Sequence, residues 1–443
     1  MLQYSKYNTI HRMEDHVVLY NALSQVILVV DNERELQDLQ HELASDSPAQ
    51  AFLLKHHFFV HPDIDETALA RLYRLDAQMN NDLQIMILPT TACNFECVYC
   101  YETMEPCAMS RQTQQRVKQF FKRQVPNYRS VNVEWFGGEP LLMKDMIYDM
   151  SESIESICRQ SGRKYQASIT TNAYLLDVET FQNLLRHHVY TYSITLDGPA
   201  FIHDRLRPCR DGKGSFDKII ANLIDIKNKV EFRYFTMVIK VNVTRPLLDV
   251  FDEFLAYLSD IFEGDSRFTF MFRVVGDYGG EGIGQIKQEL LGEPDVVYDH
   301  LLRSKITLDY RGHYALLANQ ICSAAKRNAY TIYTDGTIYK CASLLTEDRS
   351  RVGELGEHGE FLLDNVRVSQ WVGKQSDQGT CASCSFAPSC NDCPAKETMM
   401  NNERPCVMKN GRLGKLLELL TRDRDSRMYG FVYQLSEGEI VQC

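Results

Sequence analysis

From about residue 84 onward the chain alternates strand-like and helix-like patterns, and this alternation narrows its possible folds more than any other feature. Leu83–Pro89, Val131–Phe136, Ala167–Thr171, Tyr190–Leu196, Tyr234–Val243 and Phe268–Val274 are short runs rich in apolar and β-branched residues, and read as strands. Between them Arg111–Arg123, Lys144–Arg159, Val178–His187, Phe216–Lys229 and Leu247–Asp260 place apolar residues at helical spacing. Strands that each return through a helix run parallel, because a parallel pair needs a long crossover. Six such units predict an α/β fold whose parallel sheet curls into a full or partial barrel, with its chemistry at the C-terminal ends of the strands.

Two further units flank this one, giving a predicted division of 1–83, 84–310 and 311–443 over the 443 residues. In the first, Val17–Tyr20 and Gln25–Val30 form a predicted hairpin. Asn32–Leu43 and Asp65–Gln78 read as helices, the second with Leu69, Leu72 and Leu75 on an apolar face. Strands and helices in so short a span predict a winged-helix-like unit. Residues 1–86 hold 6 basic and 13 acidic side chains. So acidic a unit is a poor reader of DNA, and a peptide partner fits it better. The whole chain agrees, with a net charge of −11 and no basic stripe, which predicts no nucleic-acid partner. No apolar run approaches the ~20 residues of a membrane span. The start of the chain lacks the charged and apolar regions of a secretory signal, so a cytoplasmic location is expected.

Fourteen cysteines in such a chain are a poor disulfide framework, because the cytoplasm keeps thiols reduced. Their clustering points to metal instead. Cys93-Asn-Phe-Glu-Cys97-Val-Tyr-Cys100 directly follows the first barrel strand. Thiolates at this spacing can bind three irons of a cubic [4Fe–4S] cluster and leave the fourth open, although a zinc site fits the spacing too. A second group lies downstream. Cys322 and Cys341 enclose Gly336 in a C-x13-G-x4-C pattern, followed by Cys381, Cys384, Cys390, Cys393 and Cys406. Cys381-x2-Cys384 and Cys390-x2-Cys393 would also make a four-cysteine zinc site, and an all-zinc peptide-binding scaffold is the reading from a different functional class.

The first cluster and the segments at the next strand ends resemble the radical SAM superfamily, and the resemblance implies that the barrel is a partial, TIM-like (β/α)6 barrel. Gly137-Gly138-Glu139-Pro140 follows the second strand, Thr170-Thr171-Asn172 ends the third, and Thr195-Leu196-Asp197-Gly198-Pro199 ends the fourth. The resemblance implies that Cys93, Cys97 and Cys100 hold a cluster whose open iron is chelated by S-adenosylmethionine (SAM). It also implies that Gly137, Gly138 and Glu139 meet the methionine amine, and that Tyr99, Asn172, Thr195 and Asp197 approach the cofactor. Arg207, beyond His203-Asp204, is a candidate for the methionine carboxylate. Threonine at 195 departs from the usual serine but keeps the hydroxyl.

The downstream cysteines resemble the SPASM extension, which implies two auxiliary [4Fe–4S] clusters. Cys381, Cys384, Cys390 and Cys406 would complete one. Cys322, Cys341 and Cys393 would hold the other, one ligand short, with no cysteine in Tyr314–Gln320 to fill the gap. An open iron there would accept a substrate thiolate, while Cys443 or a non-cysteine group is the alternative fourth ligand. The extra N-terminal unit resembles the leader-peptide recognition domains of maturases of ribosomally made peptides, which take up the leader as an edge strand. The hairpin near Val17–Val30 is the expected surface.

That resemblance implies thioether cross-linking of a peptide cysteine to a carbon of another residue, with an electron donor such as flavodoxin or ferredoxin. Carbon–carbon cross-linking, epimerisation and the formylglycine chemistry of anaerobic sulfatase-maturating enzymes are the alternatives. Those enzymes carry a proposed catalytic aspartate immediately after the cysteine matching Cys341, where this chain has Ala342. Asp309, Tyr310 and Glu354 lie in the region of a base, but no base is assigned.

Overall fold

The computed structural model describes residues 2–31, 33–34, 37–38, 47–102, 105–275, 281–291, 295–309, 321–372, 383–390, 412–422, 432–436 and 439–442. Much of the predicted helix Asn32–Leu43 lies outside them, as do Tyr310, Tyr314–Gln320, Cys381, Cys393, Cys406 and Cys443.

The N-terminal unit holds strands β1 (Gln3–Tyr4), β2 (Asn8–Arg12), β3 (Val17–Asn21), β4 (Val26–Val30) and β5 (Phe59–Val60). Strands β3 and β4 pair antiparallel, Val17 opposite Val30, as the hairpin reading expects. Helices Pro48–Lys55 and Glu66–Gln78 complete this part. Asp65 caps the second by accepting from the backbone N–H groups of Thr67 and Ala68.

Of the apolar face expected on that helix only Leu69 packs against the core, half-buried. Glu66, Arg74 and Gln78 are buried, while Leu72 and Leu75 are 52% and 46% exposed. A spacing of three residues drifts off one face of a 3.6-residue helix. The inward face is instead fixed by polar contacts, Glu66 accepting from the Ser5 hydroxyl and from the Lys6 backbone N–H.

The six predicted barrel strands are all present: β6 (Asp82–Thr90), β7 (Ser130–Gly137), β8 (Lys164–Thr171), β9 (Val189–Thr195), β10 (Thr236–Val243) and β11 (Phe268–Val274). Each is parallel to its neighbours. Helices Arg111–Gln124, Lys144–Gln160, Val178–Arg186, Phe216–Lys229 and Phe251–Phe262 return the chain between them. In β7, β8 and β10 burial alternates strictly along the C-terminal half. Val131, Val133, Trp135, Ile169, Ile239 and Val241 pack into the main core. The intervening positions are Asn132, Glu134, Ser168, Thr170, Lys240 and Asn242. Parallel sheets buried on both faces carry apolar residues throughout. This sheet therefore presents a polar inner face.

That face curls round a lumen, because Glu134 on β7 and Lys240 on β10 act on each other's charge although two strands lie between them. Among the described residues the sheet does not close. Residues 329–363 extend it on the β6 side with β12 (Ala329–Ile332), β13 (Thr337–Tyr339), β14 (Arg351–Leu355) and β15 (Phe361–Leu363). The order is β11-β10-β9-β8-β7-β6-β12-β13-β14-β15, ten strands in one sheet.

The expected C-terminal helix is present as Arg412–Arg422. Beyond it, β16 (Val432–Ser436) and β17 (Glu439–Gln442) join the N-terminal unit, not the barrel. Strand β16 lies parallel to β4, with Val432 opposite Ile27 and Leu435 opposite Val30, giving the order β17-β16-β4-β3-β2. This corrects the expected peptide-docking surface. Both strands of the Val17–Val30 hairpin are interior, and the sheet's described edges are β2 and β17.

Candidate active site

The cysteine loop leaves the C-terminal end of β6, where a barrel places its chemistry. Cys93 and Cys97 are half-buried and Cys100 is exposed. The Cys97 thiol lies within electrostatic range of both others. Asn172, at the end of β8, points its amide at Cys93 Sγ (3.9 Å) and donates to Asn94 Oδ1 (2.8 Å). Burial pushes the Cys93 thiol up to about 12 and raises Cys97 as well, so holding thiolates here requires positive charge.

The chain supplies some of that charge with Arg207. Its guanidinium is buried, acts electrostatically on Cys97, stacks over Phe95 (5.7 Å) and donates from Nη1 to the Tyr99 hydroxyl (2.9 Å). Arg207 Nε is buried with no hydrogen-bond partner among the described residues. A buried, unpaired guanidinium nitrogen beside three thiols calls for a further acceptor.

The sequence-predicted residues at the next strand ends converge on this mouth. Gly137 adopts φ +118°, and a Cβ there would lie 2.3 Å from the Thr90 carbonyl oxygen. At Gly138 a Cβ would meet the Ala92 and Thr91 oxygens at 2.4 and 2.5 Å. Both positions therefore need glycine to bring the end of β7 against the approach to Cys93.

Glu139 is fully buried. Its carboxylate accepts from the Thr171 hydroxyl (2.7 Å), the Asn172 N–H (2.7 Å) and the Leu141 N–H (2.9 Å). Burial nevertheless wins and raises its pKa. Glu139 thus ties the ends of β7 and β8 together. Asp197 is equally buried, accepting from the Asn242 N–H (2.8 Å) and from the Tyr99 hydroxyl. Thr195 sits half-buried at the end of β9, in register with Lys240.

Of the downstream cysteines, Cys322 and Cys341 are brought to the same end of the β12–β13 hairpin. Gly336 explains the glycine between them, for it turns the hairpin with φ +94°. Cys322 is half-buried, and its charge acts on the Lys326 and Lys340 ammonium groups. Lys340 is buried, donating to the Lys326 and Ala329 carbonyls and lying 4.2 Å over the Tyr330 ring. A cavity of about 140 Å³ opens here, lined by Glu134, Ser168, Tyr330, Lys340 and Ala342 among others. Cys384 and Cys390 flank a turn packed on the N-terminal sheet, where Ser389 meets Tyr20 (2.6 Å) and the Ala22 carbonyl (2.8 Å). Cys381, Cys393 and Cys406 lie outside the described residues. Of the suggested bases, Asp309 is buried and acts on Lys240, while Glu354 is exposed and paired with Arg351 on β14.

Among the described residues no three His, Cys, Asp or Glu side chains converge on one point as a single metal ion requires. A cubic cluster makes a different demand, since each thiolate binds its own iron. Three thiols spread along one loop, with an unpaired guanidinium nitrogen beside them, fit that demand.

Sequence reasoning passed over Asn242, which reaches both Asp197 and Tyr99, although a polar residue ending a barrel strand is a signal of function. It also passed over Ser215 and Arg210, which lie in a loop with no periodic pattern.

Residues 87–253 match the family model for the radical SAM superfamily. Over 330 residues the chain is 22% identical to a serine-type anaerobic sulfatase-maturating enzyme of Klebsiella aerogenes, covering 71% of this chain and 80% of that one. A cysteine-type sulfatase-maturating enzyme of Clostridium novyi is 28% identical over 185 residues, 39% of this chain and 48% of its own. In structure, the chain resembles anSMEcpe with bound AdoMet at a TM-score of 0.55 and 17% identity, covering 78% and 97% of the two chains. The same holds at TM-score 0.55 for anSMEcpe with AdoMet and the Kp18Cys peptide, over 78% and 98% of the two chains.

Proposed function

We propose that this chain, a radical SAM enzyme whose domain spans residues 87–253, is a peptide maturase that joins a cysteine of a ribosomally made peptide to a carbon of another residue as a thioether. The observation that carries the reading is the convergence of Cys93, Cys97, Cys100, Gly138, Glu139, Asn172 and Asp197 at one barrel mouth, above a polar lumen open on one side.

Cys93, Cys97 and Cys100 would hold the first cluster, with Arg207 and Asn172 beside it. Tyr99, Gly137, Gly138, Thr195 and Asp197 would lie around SAM, while Glu139 holds two strand ends at the spacing SAM needs. Cluster and SAM together supply a 5′-deoxyadenosyl radical that abstracts hydrogen. The protein's share is to orient the peptide in the lumen and to exclude water from it. Cys322, Cys341 and Cys393 would hold one auxiliary cluster, and Cys381, Cys384, Cys390 and Cys406 the other. The N-terminal unit would take up a neutral or basic leader peptide, now at the β2 edge (Asn8–Arg12), which has no strand neighbour on its outer side among the described residues. Flavodoxin or ferredoxin would supply the electron.

The sulfatase-maturating relatives favour a second reading, oxidation of a peptide cysteine to formylglycine. The missing carboxylate at Ala342 and the N-terminal unit weigh against it. Anaerobic purification of wild type and Cys93/Cys97/Cys100→Ala tests the foundation. About twelve irons per chain, falling to about eight, are expected for three clusters, whereas zinc in place of iron would end the reading. Incubation with SAM, dithionite and synthetic cysteine-bearing peptides then separates the reactions. A thioether consumes the thiol and two hydrogens without creating a carbonyl, while formylglycine is captured by a hydrazide.

A further inference from the structure

The loop that carries the three cysteines is gripped from one side by a strap, residues 206–210. Val98 N–H donates to the Leu206 carbonyl (2.9 Å), Glu96 N–H to that of Pro208 (2.9 Å), and Arg210 N–H to that of Asn94 (3.0 Å). Arg210 Nε adds a bond to the Cys93 carbonyl (2.7 Å). The loop's position is therefore the strap's position, and the strap must itself be fixed.

What fixes it is a closed circuit of hydrogen bonds in which each residue donates to the next. The Tyr99 hydroxyl donates to the Asp197 carboxylate. Asp197 N–H donates to His203 Nδ1 (3.0 Å). A backbone N–H can only donate, so Nδ1 is bare and the neutral ring carries its proton on Nε2. That proton goes to the Ser215 hydroxyl oxygen (3.1 Å), whose own proton goes to the Arg207 carbonyl (2.9 Å). Arg207 Nη1 closes the circuit by donating to the Tyr99 hydroxyl (2.9 Å). His203, Ser215 and Asp197 are fully buried, so no water replaces a broken link. Burial, with Arg207's charge behind it, holds His203 neutral, as the circuit requires.

We propose that His203 and Ser215 are positioning residues, whose circuit with Tyr99, Asp197 and Arg207 locks the cysteine loop to the end of β9 and so holds the cluster loop and the SAM-facing strand end as one unit. Among the described residues neither is hydrogen-bonded to Cys93, Cys97 or Cys100. They act through the Asp197 backbone and the Arg207 carbonyl, and a cut at either link should have the same consequence. This rests on the cluster and SAM assignment made above.

The test is a double-mutant cycle on His203→Leu, Ser215→Ala and the pair, purified anaerobically. SAM affinity is read from the SAM-induced change in the electron paramagnetic resonance spectrum of the reduced first cluster, after subtracting the Cys93/Cys97/Cys100→Ala spectrum. Each single variant should keep its iron and bind SAM about tenfold more weakly, the scale of one buried hydrogen bond left unmade. The double variant should be no weaker than either single one, because a circuit cut once is already open. His203→Gln, which keeps an acceptor and a donor, should recover part of the loss. Unchanged SAM affinity in both single variants overturns the proposal, as does a double variant whose losses multiply. Should His203→Leu not fold, Ser215→Ala against wild type decides alone. A wild-type chain that binds neither iron nor SAM would defeat the functional assignment instead, so the two failures are distinct.

Discussion

Gly138 and Gly212 show how differently two glycines can matter. A methyl group on Gly138 would press against two backbone oxygens of residues 91 and 92, which have no freedom to swing away. Gly212 needs glycine for its φ of +77° but has nothing within 4 Å of a Cβ. Gly138→Ala should therefore push the Thr91–Ala92 backbone outward and cost the chain up to about four irons, with about 1–3 kcal/mol of stability. Gly212→Ala should cost about 1 kcal/mol and no iron. Iron assay and thermal unfolding of the two purified variants check both halves.

At the scale of elements, β11 is held in place by Arg267, which precedes it. Its guanidinium is nearly enclosed, donating to Asp265 (2.6 Å), to the Val230 carbonyl (2.5 Å) and to the Lys227 carbonyl (2.7 Å). It also packs over the rings of Phe235 and Phe268. Burial alone would raise the Asp265 pKa, but the hydrogen bonds from Arg267 prevail and lower it. Arg267→Met leaves that carboxylate charged and unpaired and should destabilise the chain by about 3–5 kcal/mol at pH 7. A depressed carboxylate contributes stability above its unfolded value and loses it as the pH falls through the folded one. The gap between wild type and variant in urea unfolding should therefore close below about pH 4.

All six barrel strands were legible because they are short apolar and β-branched runs separated by five helices with their own period. The apolar face of Glu66–Gln78 misled, because Leu69, Leu72 and Leu75 satisfy a spacing that the helix itself does not keep. The cysteines and Gly137–Glu139 were legible as local motifs. The His203–Ser215 link was not, since a serine in an irregular loop carries no signal until the fold brings it to its partner. Nor was the loss of a free edge at Val26–Val30, whose neighbour lies some 400 residues away in sequence.

For the whole molecule that distant pairing makes the N-terminal sheet dependent on Val432–Ser436 and Glu439–Gln442. Leu435 is completely buried beside Leu28, Val30 and Leu53. Leu435→Lys should cost about 3 kcal/mol by burying an unpaired ammonium. The loss should stay local. Limited trypsin digestion should then cut within residues 2–60 while a fragment containing the barrel persists, and equal protection of both regions would contradict the dependence.

The same pairing sets an order in time. During synthesis β4 leaves the ribosome near the beginning and β16 near the end of these 443 residues. At about 5–20 residues per second, β4 waits roughly 20–80 s for its neighbour. Throughout that interval the barrel can form and the cysteine loop can meet iron, while the sheet beside it still has an unfilled side. The unit that holds β4 thus emerges before the barrel and is finished after it, and any peptide bound by strand addition during those seconds meets an acceptor that the complete sheet no longer offers.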